Sequence, residues 1–199
     1  MFNNLSSPAA YLSSRRSARP RDMVSPGPDD AQLEEILRLA MRTPDHGKLA
    51  PWRFVKVSQD ARWAFATLLE RAFVAANPDA RPVQIEAAVA LADMAPSLVI
   101  MIHSPQQSAK IPQWEQQLSS GAAGMNLLHA AHVHGFVGGW ITGWAAFDET
   151  VQAALCQPQE RVTGFFYFGS PGAELKERPR PDFAAKLSEF PASTDPAAI

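Results

Sequence analysis

Cysteine is almost absent from this chain of 199 residues, in which Cys156 is the only one. A single thiol excludes a disulfide within the chain and any metal site built from several cysteines. It is typical of a protein that works in the reducing cytoplasm, where we expect this one. Because Cys156 is a lone thiol on a short predicted helix, we also expect it to be dispensable for activity.

The chain also lacks an excess of charge of one sign and a long apolar run. Its net charge of -2 creates no basic field that would attract nucleic acid or an anionic membrane. No apolar run approaches the roughly 18 residues that span a bilayer. Near the N-terminus, Arg15 and Arg16 follow the weakly apolar part, which is the wrong order for a signal peptide. We therefore expect neither a nucleic-acid partner nor a membrane.

Sequence signatures of common catalytic sites are missing as well. The chain has no Gly-x-Ser-x-Gly nucleophile motif, no GxxxxGK[ST] phosphate loop and no GxGxxG dinucleotide motif. Three of its five histidines, His129, His132 and His134, lie near the end of one predicted helix. Their spacing does not match the i, i+4 metal pattern, and no carboxylate completes a site. We expect no bound metal and interpret these histidines as a solvent-exposed helix end.

What the chain does have is a regular succession of helix and strand patterns. Apolar spacing and capping residues predict helices near residues 8–14, 29–41, 60–76, 83–94, 112–134 and 148–155. Short apolar runs predict strands at residues 54–57, 97–103, 136–142 and 162–168. The run 97–103 is apolar almost throughout, as expected of a central strand. We predict a single domain over residues 1–199, of α+β or α/β class, with an extended arm from about residue 170.

The longest predicted helix, residues 112–134, has apolar residues over an unusually wide arc. We predict that its buried side is formed by Trp114, Leu118, Ala122, Met125, Leu128 and Ala131. Further small and apolar residues lie outside that stripe, which indicates burial on more than one side. The helix is either the centre of its own domain or part of an interface between two copies of the chain, and the residues alone leave both open.

A rigid loop between two predicted elements is the first candidate site. Residues 42–52 include two prolines, which fix the backbone and remove donors, so we expect neither helix nor inner strand here. The loop holds Arg42, Asp45, His46 and Lys48. Polar side chains that converge on a loop between regular elements more often form a site than a scaffold.

Basic residues form two more candidate sites. Arg15, Arg16 and Ser17 follow the first predicted helix and could hold a phosphate by charge-assisted hydrogen bonds, although a solvent-exposed helix terminus is the alternative. A second basic cluster, with Lys176 and Arg178, lies on the C-terminal arm. The predicted strand at residues 136–142 contains Gly138 and Gly139, which indicates that a ligand or another backbone lies close to it. Together with this strand, the basic clusters favour one flat, anionic ligand held by several parts of the chain.

At this point the sequence resembles the nitroreductase family of flavoenzymes, and in particular its small YdjA-like branch. The resemblance covers residues 10–171 and is carried by the order and spacing of the stretches 15–17, 41–46, 51–52, 112–116, 135–143 and 164–169. It implies an α+β, nitroreductase-like fold with a central, mostly antiparallel sheet wrapped by helices, and an intertwined homodimer. It also implies FMN, bound non-covalently at the dimer interface and reduced by NADH or NADPH.

The same resemblance implies roles for individual residues. Arg15, Arg16 and Ser17 would contact the phosphate, the ribityl chain and the pyrimidine edge of FMN, and Arg16 would stabilise the reduced flavin. The other residues implied in cofactor binding are Arg42, His46, Lys48, Trp140, Ile141, Thr142, Lys176 and Arg178.

Three positions depart from the family pattern. Lys48 stands where Asn is frequent in the wider family, and Ala50 stands where the branch keeps Gln. Ile141 replaces an Arg that is usual in the branch, which removes the polar group at that position.

By this resemblance, the expected activity is FMN-dependent reduction of nitroaromatic, quinone or similar acceptors by NAD(P)H, in a ping-pong cycle with hydride transfer through flavin N5. Hydride transfer requires no acid or base side chain, so no catalytic residue is assigned. One alternative is an FMN enzyme with another reductive chemistry: dehalogenation, enoate reduction or flavin breakdown. Others are an FMN-binding dimer without turnover and a helical module that binds an acidic partner. The expected partners are a second copy of the chain and a small-molecule electron acceptor.

Overall fold

The computed structural model describes residues 1–190 and shows a five-stranded sheet with helices on both faces. The helices are α1 Pro8–Ser14, α2 Asp30–Ala40, α3 Arg62–Ala76, α4 Pro82–Val89, α5 Gln113–Val133 and α6 Glu149–Leu155. The strands are β1 Met23–Val24, β2 Trp52–Val57, β3 Ser97–His103, β4 Val137–Ile141 and β5 Arg161–Pro171. Residues 191–199, the end of the predicted arm, lie outside the described residues.

Strand β5 is the centre of the sheet. It pairs with β3, where Ser97 lies opposite Phe168 and a register shift falls between Met101 and Ile102. It also pairs with β4 and, near its end, with the two residues of β1, while β2 pairs with β3. All four pairings are antiparallel, as the family resemblance implied.

Alternate residues of β3 and β5 face two separate apolar cores, because successive side chains of a strand point to opposite faces. The core on the side of α3 and α6 contains Leu98, Ile100, Ile102, Phe165 and Tyr167. The core on the side of α2 and α5 contains Val99, Met101, Phe166 and Phe168. The strand β3 is therefore covered on both faces, which confirms the prediction of a central strand.

Several helix ends follow directly from local sequence. Ser7 caps α1 by accepting a hydrogen bond from the backbone N–H of Ala10 at 3.1 Å. Asp29 and Gln32 form a reciprocal capping box at the start of α2. Helix α5 is followed by Gly135 at φ +84°, a left-handed position that glycine adopts without strain.

Three local features differ from the predicted elements. The strand β1 was not predicted, since two residues are too few to show a periodicity. Helix α4 ends at Val89, and the residues after it, Ala90–Asp93, form a 3-10 turn. The loop at residues 42–52 contains one 3-10 turn, His46–Lys48, which is interrupted by Gly47 at φ +79°.

Within one chain, the predicted buried side of α5 is exposed in the first half of the helix. Trp114 and Leu118 are 66% and 54% exposed, and Ala122 is also exposed, whereas Leu128 and Ala131 are buried as predicted. In that first half, the inward side carries residues that hydrogen-bond to other segments: Gln116, Ser119 and Ser120. Apolar periodicity therefore pointed to the outward side.

None of the helices within residues 1–190 is long and apolar enough to cross a membrane.

Candidate functional site

The structure brings the first basic cluster to the C-terminal arm. Asn3 holds the backbone of Arg16 by two hydrogen bonds, of 2.8 and 3.2 Å. The Nε atom of Arg16 donates to the carbonyl of Lys176 at 2.7 Å and lies 3.4 Å from a carboxylate oxygen of Glu177. We call this part of the molecule, with Arg15, Arg16, Ser17, Lys176 and Arg178, the basic cradle.

Arg16 is the buried member of the basic cradle, with 4% of its surface exposed. Its Nη2 atom is buried and has no hydrogen-bond partner among the residues that the structure describes. A buried donor without an acceptor is costly, and an anion supplies the strongest acceptor for a guanidinium. Beside it, Arg15 donates to the hydroxyl of Ser17 at 3.2 Å. The geometry therefore suits an anion that completes the hydrogen bonds of Arg16.

Helix α1, which leads into the basic cradle, is fixed to the end of α5 by Tyr11. The Tyr11 hydroxyl lies 2.8 Å from the Nδ1 atoms of both His129 and His132. A hydroxyl has one proton, so it donates to one ring and accepts an N–H from the other. Burial, with a smaller contribution from Arg15, lowers the pKa of His132 to about 4, so this ring is neutral at pH 7.

The prediction of a solvent-exposed helix end is therefore wrong for His132, which is 2% exposed. Its partner Tyr11 is 121 residues away in sequence, and no local signal joins the two.

Within residues 1–190, no three His, Cys, Asp or Glu side chains are grouped so that they could hold a metal ion.

The loop at residues 42–52 lies against α5, whose side chains hold it at four points. Glu115 accepts from His46 Nδ1 at 2.6 Å. The remaining bonds run from Ser119 to the carbonyl of Pro44 at 2.7 Å, from Ser120 to the carbonyl of Pro51 at 2.8 Å and from Asn126 to the hydroxyl of Thr43 at 2.8 Å. The candidate residues Arg42, His46 and Lys48 remain exposed on the outside of the loop.

The candidate residues of β4 are partly occupied by contacts within the chain. The indole of Trp140 stacks on Phe166 with 4.9 Å between ring centroids and donates to the carbonyl of Thr163 at 3.1 Å. Ile141 packs against the core on the side of α3, and Thr142, just after β4, is half-buried.

One of the two glycines of β4, Gly139, is explained by another backbone that lies close to it. A Cβ atom at Gly139 would stand 2.7 Å from the carbonyl oxygen of Ala18. The N–H of Ala18 donates to the carbonyl of Gly138 at 3.1 Å. Of the two neighbours that the sequence allowed, a ligand or a backbone, the structure shows the backbone that leads out of the basic cradle.

Within one chain, the basic cradle and the loop at residues 42–52 lie toward opposite ends of α5. The carbonyls of the loop are bonded to Ser119 and Ser120, whereas α1 is bonded to His129 and His132. At a rise of about 1.5 Å per residue, these two positions are roughly 17 Å apart along the helix. No hydrogen bond or salt bridge between side chains of the loop and of the basic cradle occurs within residues 1–190.

Comparison with known proteins identifies the family. Residues 12–170 match the Nitroreductase family. The chain is 35% identical over 161 residues to the Escherichia coli K12 protein YdjA, covering 80% of this chain and 86% of that one. It is 36% identical over 169 residues to a Haemophilus influenzae protein, covering 84% and 89%. The chain belongs to the nitroreductase family. Both relatives carry the name "Putative NAD(P)H nitroreductase", and a member of this family is an oxidoreductase.

Solved structures of nitroreductase-like proteins confirm the fold. A nitroreductase-like family protein from Bacillus cereus matches with a TM-score of 0.78 at 17% identity, covering 96% of this chain and 99% of that one. A nitroreductase with bound FMN from Bacteroides fragilis matches with a TM-score of 0.64 at 22% identity, covering 89% and 96%. This nitroreductase-family protein therefore has the α+β fold with an antiparallel sheet that the resemblance implied.

Proposed function

We propose that this nitroreductase-family protein binds FMN in the basic cradle and uses NADH or NADPH to reduce a small-molecule acceptor. The observation that carries the proposal is Arg16, whose buried Nη2 atom has no acceptor within residues 1–190. FMN has one terminal phosphate, which carries between about -1.5 and -2 charges at pH 7. A phosphate oxygen would supply the acceptor that Arg16 lacks.

The composition of the basic cradle fits FMN better than a dinucleotide. The chain contains no dinucleotide fingerprint, and Arg15 and Arg16 lie against the arm that carries Lys176 and Arg178. Because Arg16 lies beside the backbone of Lys176, we assign Arg16 to the phosphate together with Lys176 and Arg178. Arg15 and Ser17 remain the candidates for the ribityl chain and the pyrimidine edge. This assignment changes the role expected for Arg16, which the resemblance placed at the reduced flavin.

Two structures of the same fold support the choice of cofactor and donor. One is named as a nitroreductase with bound FMN from Bacteroides fragilis. The other is named as an NADPH:FMN oxidoreductase from Vibrio harveyi in complex with NAD+, with a TM-score of 0.65 at 17% identity. The names of the two curated relatives give NAD(P)H as the donor.

The chemistry that FMN supplies when bound is hydride transfer from NADH or NADPH to an acceptor such as a nitroaromatic or a quinone. The residues of this chain bind and orient the reactants, and none is required to donate or accept a proton in the hydride transfer. We propose that donor and acceptor use the same space in turn, so double-reciprocal plots should give parallel lines. Intersecting lines would contradict the shared space. The single cysteine favours the cytoplasm as the place of this reaction.

We also propose that two copies of the chain form each complete site. The outward side of α5 carries an apolar stripe, Trp114, Leu118 and Ala122, in the half of the helix that holds the loop. A two-fold axis across the helix would pair the two α5 helices in antiparallel orientation. Since the family resemblance places FMN at the dimer interface, Arg42, His46 and Lys48 of one chain would complete the site of its partner. Such an apolar interface falls in the obligate class, roughly 2,000 Å² or more.

The first test is the cofactor itself. The purified protein should be yellow, release FMN rather than FAD, lose its colour with NADPH without oxygen, and regain it with a quinone. Replacing both Arg15 and Ser17 by Ala should weaken FMN binding, since charge-assisted hydrogen bonds contribute about 1.5–3 kcal/mol each. Arg38→Ala is the control, because within residues 1–190 that exposed side chain pairs only with Glu34. A protein that holds FMN but is not bleached would be a binder without turnover.

The second test is the dimer. Trp114→Asp places a charge on the proposed interface, whereas Trp63→Asp changes an exposed tryptophan on α3, which is 79% exposed. We expect the first variant to become monomeric in light scattering and to lose FMN, and the second to behave like the parent protein. A monomeric form that keeps its flavin and its activity would contradict both the dimer and the shared site.

A further inference from the structure

The loop at residues 42–52 has a backbone conformation that its residues rarely adopt. Lys48 has φ +58° and Ala50 has φ +46°, and both side chains have a Cβ atom that clashes in this left-handed region. Gly47, at φ +79°, shares the region without strain. Three left-handed residues therefore lie within four positions, and two of them are strained.

The two ends of this strained segment are held by neighbouring serines of α5. Ser119 and Ser120 are 8% and 2% exposed. They donate to the carbonyls of Pro44 and Pro51, which bracket residues 45–50. Because both ends are fixed and the prolines cannot rotate about φ, the six residues between them have few ways to close the gap. Strained residues persist where their surroundings determine the conformation in this way.

Two more contacts support this arrangement. The carboxylate of Asp45 accepts a hydrogen bond from the N–H of Ala50 at 2.7 Å, which closes the turn from inside. The Nδ1 atom of His103 lies 2.7 Å from the Ser120 hydroxyl, which fixes the orientation of that serine. The conformation of Ala50 is therefore fixed by its own hydrogen bond to Asp45 and by the bond from Ser120 to the next residue, Pro51. Glycine at position 50 would remove the strain altogether.

We propose that the strained backbone at Lys48 and Ala50 holds the loop in its ligand-binding shape before FMN arrives, and that Ser119 and Ser120 are the positioning residues that maintain it. This proposal rests on the proposed function, in which the exposed side chains of the loop complete the FMN site. A loop that is already in its bound shape does not have to be ordered during binding, so the affinity for FMN is higher.

The experiment separates strain from stability. Ala50→Gly removes the strain and frees the loop, so the variant should melt at the same or a higher temperature yet bind FMN more weakly, by roughly three- to tenfold. The matched control is Gln159→Gly, which relieves a residue at φ +72° in the turn between α6 and β5. This control should also melt at the same or a higher temperature but bind FMN as the parent protein does. Ser119→Ala and Ser120→Ala should weaken FMN binding as well.

The measurements are thermal unfolding of each apoprotein and titration with FMN, followed by quenching of flavin fluorescence. A purely structural role would lower melting temperature and affinity together, whereas the proposal requires Ala50→Gly to bind FMN more weakly without a lower melting temperature. If the parent protein binds FMN and Ala50→Gly binds it equally tightly, this proposal is wrong and the proposed function stands. If the parent protein binds no FMN, both are wrong.

Discussion

Replacing Tyr11 by Phe removes one oxygen atom from the contact that fixes α1 to the end of α5. The ring still fills the same space, so no cavity forms. What is lost is the hydroxyl that lies 2.8 Å from the Nδ1 atoms of His129 and His132. Because α1 leads directly into the basic cradle, this substitution tests both the stability of the fold and the placement of Arg15 and Arg16.

The magnitude follows from the burial of the partner that is left behind. His132 is 2% exposed, and its Nε2 atom already has no hydrogen-bond partner within residues 1–190. Without Tyr11, its Nδ1 atom is unpaired too, and an unpaired buried group costs about 1–3 kcal/mol. His129 is only half-buried and can bond to water, so it adds little. We expect a loss of about 2 kcal/mol in the free energy of unfolding, or roughly 4–8 °C in Tm at 2–4 °C per kcal/mol.

Urea unfolding of the parent protein, Tyr11→Phe, His132→Leu and the double variant measures this loss. Replacing both partners by apolar residues of similar shape leaves no fully buried group unpaired, and half-buried His129 can bond to water, so the double variant should be more stable than the sum of the single effects predicts. FMN titration of Tyr11→Phe should show weaker binding, because the end of α1 is less firmly held. The reasoning is refuted if Tyr11→Phe unfolds within about 0.5 kcal/mol of the parent protein, the usual range for a surface change.

Three further outcomes are expected. The Arg53 guanidinium holds the pKa of Glu160 at about 2, below its ordinary value of 4.5, so the stabilisation that this pair provides is complete above pH 4.5 and is lost as the pH falls toward 2. Urea unfolding at pH 6 and pH 3 should therefore show a smaller loss of stability at pH 3 for Glu160→Gln than for the parent protein. The pair's share of the parent's loss is about 2 kcal/mol without screening and about 1 kcal/mol after allowance for the partly exposed arginine. Glu177→Gln should bind FMN roughly two- to fivefold more tightly, because an exposed carboxylate near Arg16 competes with a phosphate; weaker binding would show that Glu177 orients the site instead. Cys156→Ser should keep full activity in a steady-state assay with NADPH and a quinone, and a complete loss would show that the thiol takes part.

Much of the fold was predictable because its signals are local. Ser7 and Asp29 cap helices through residues three positions away, and Gly135 ends α5 through its own backbone freedom. The run at residues 97–103 is apolar on both faces, which by itself indicates a strand covered on both sides. The residues expected at the site were likewise found in recognisable short stretches: residues 15–17, residues 42–52 and the basic part of the arm.

The contacts that join those stretches were decided only by the tertiary structure. Arg16 meets the carbonyl of Lys176 across 160 residues of sequence, and Tyr11 meets His132 across 121. Apolar spacing shows that a helix has an apolar side but not which side faces its own chain, and for the first half of α5 it indicated the outward one. There, hydrogen bonds from buried polar side chains such as Ser119 and Ser120 decide the packing, and their partners are backbone carbonyls that any sequence possesses.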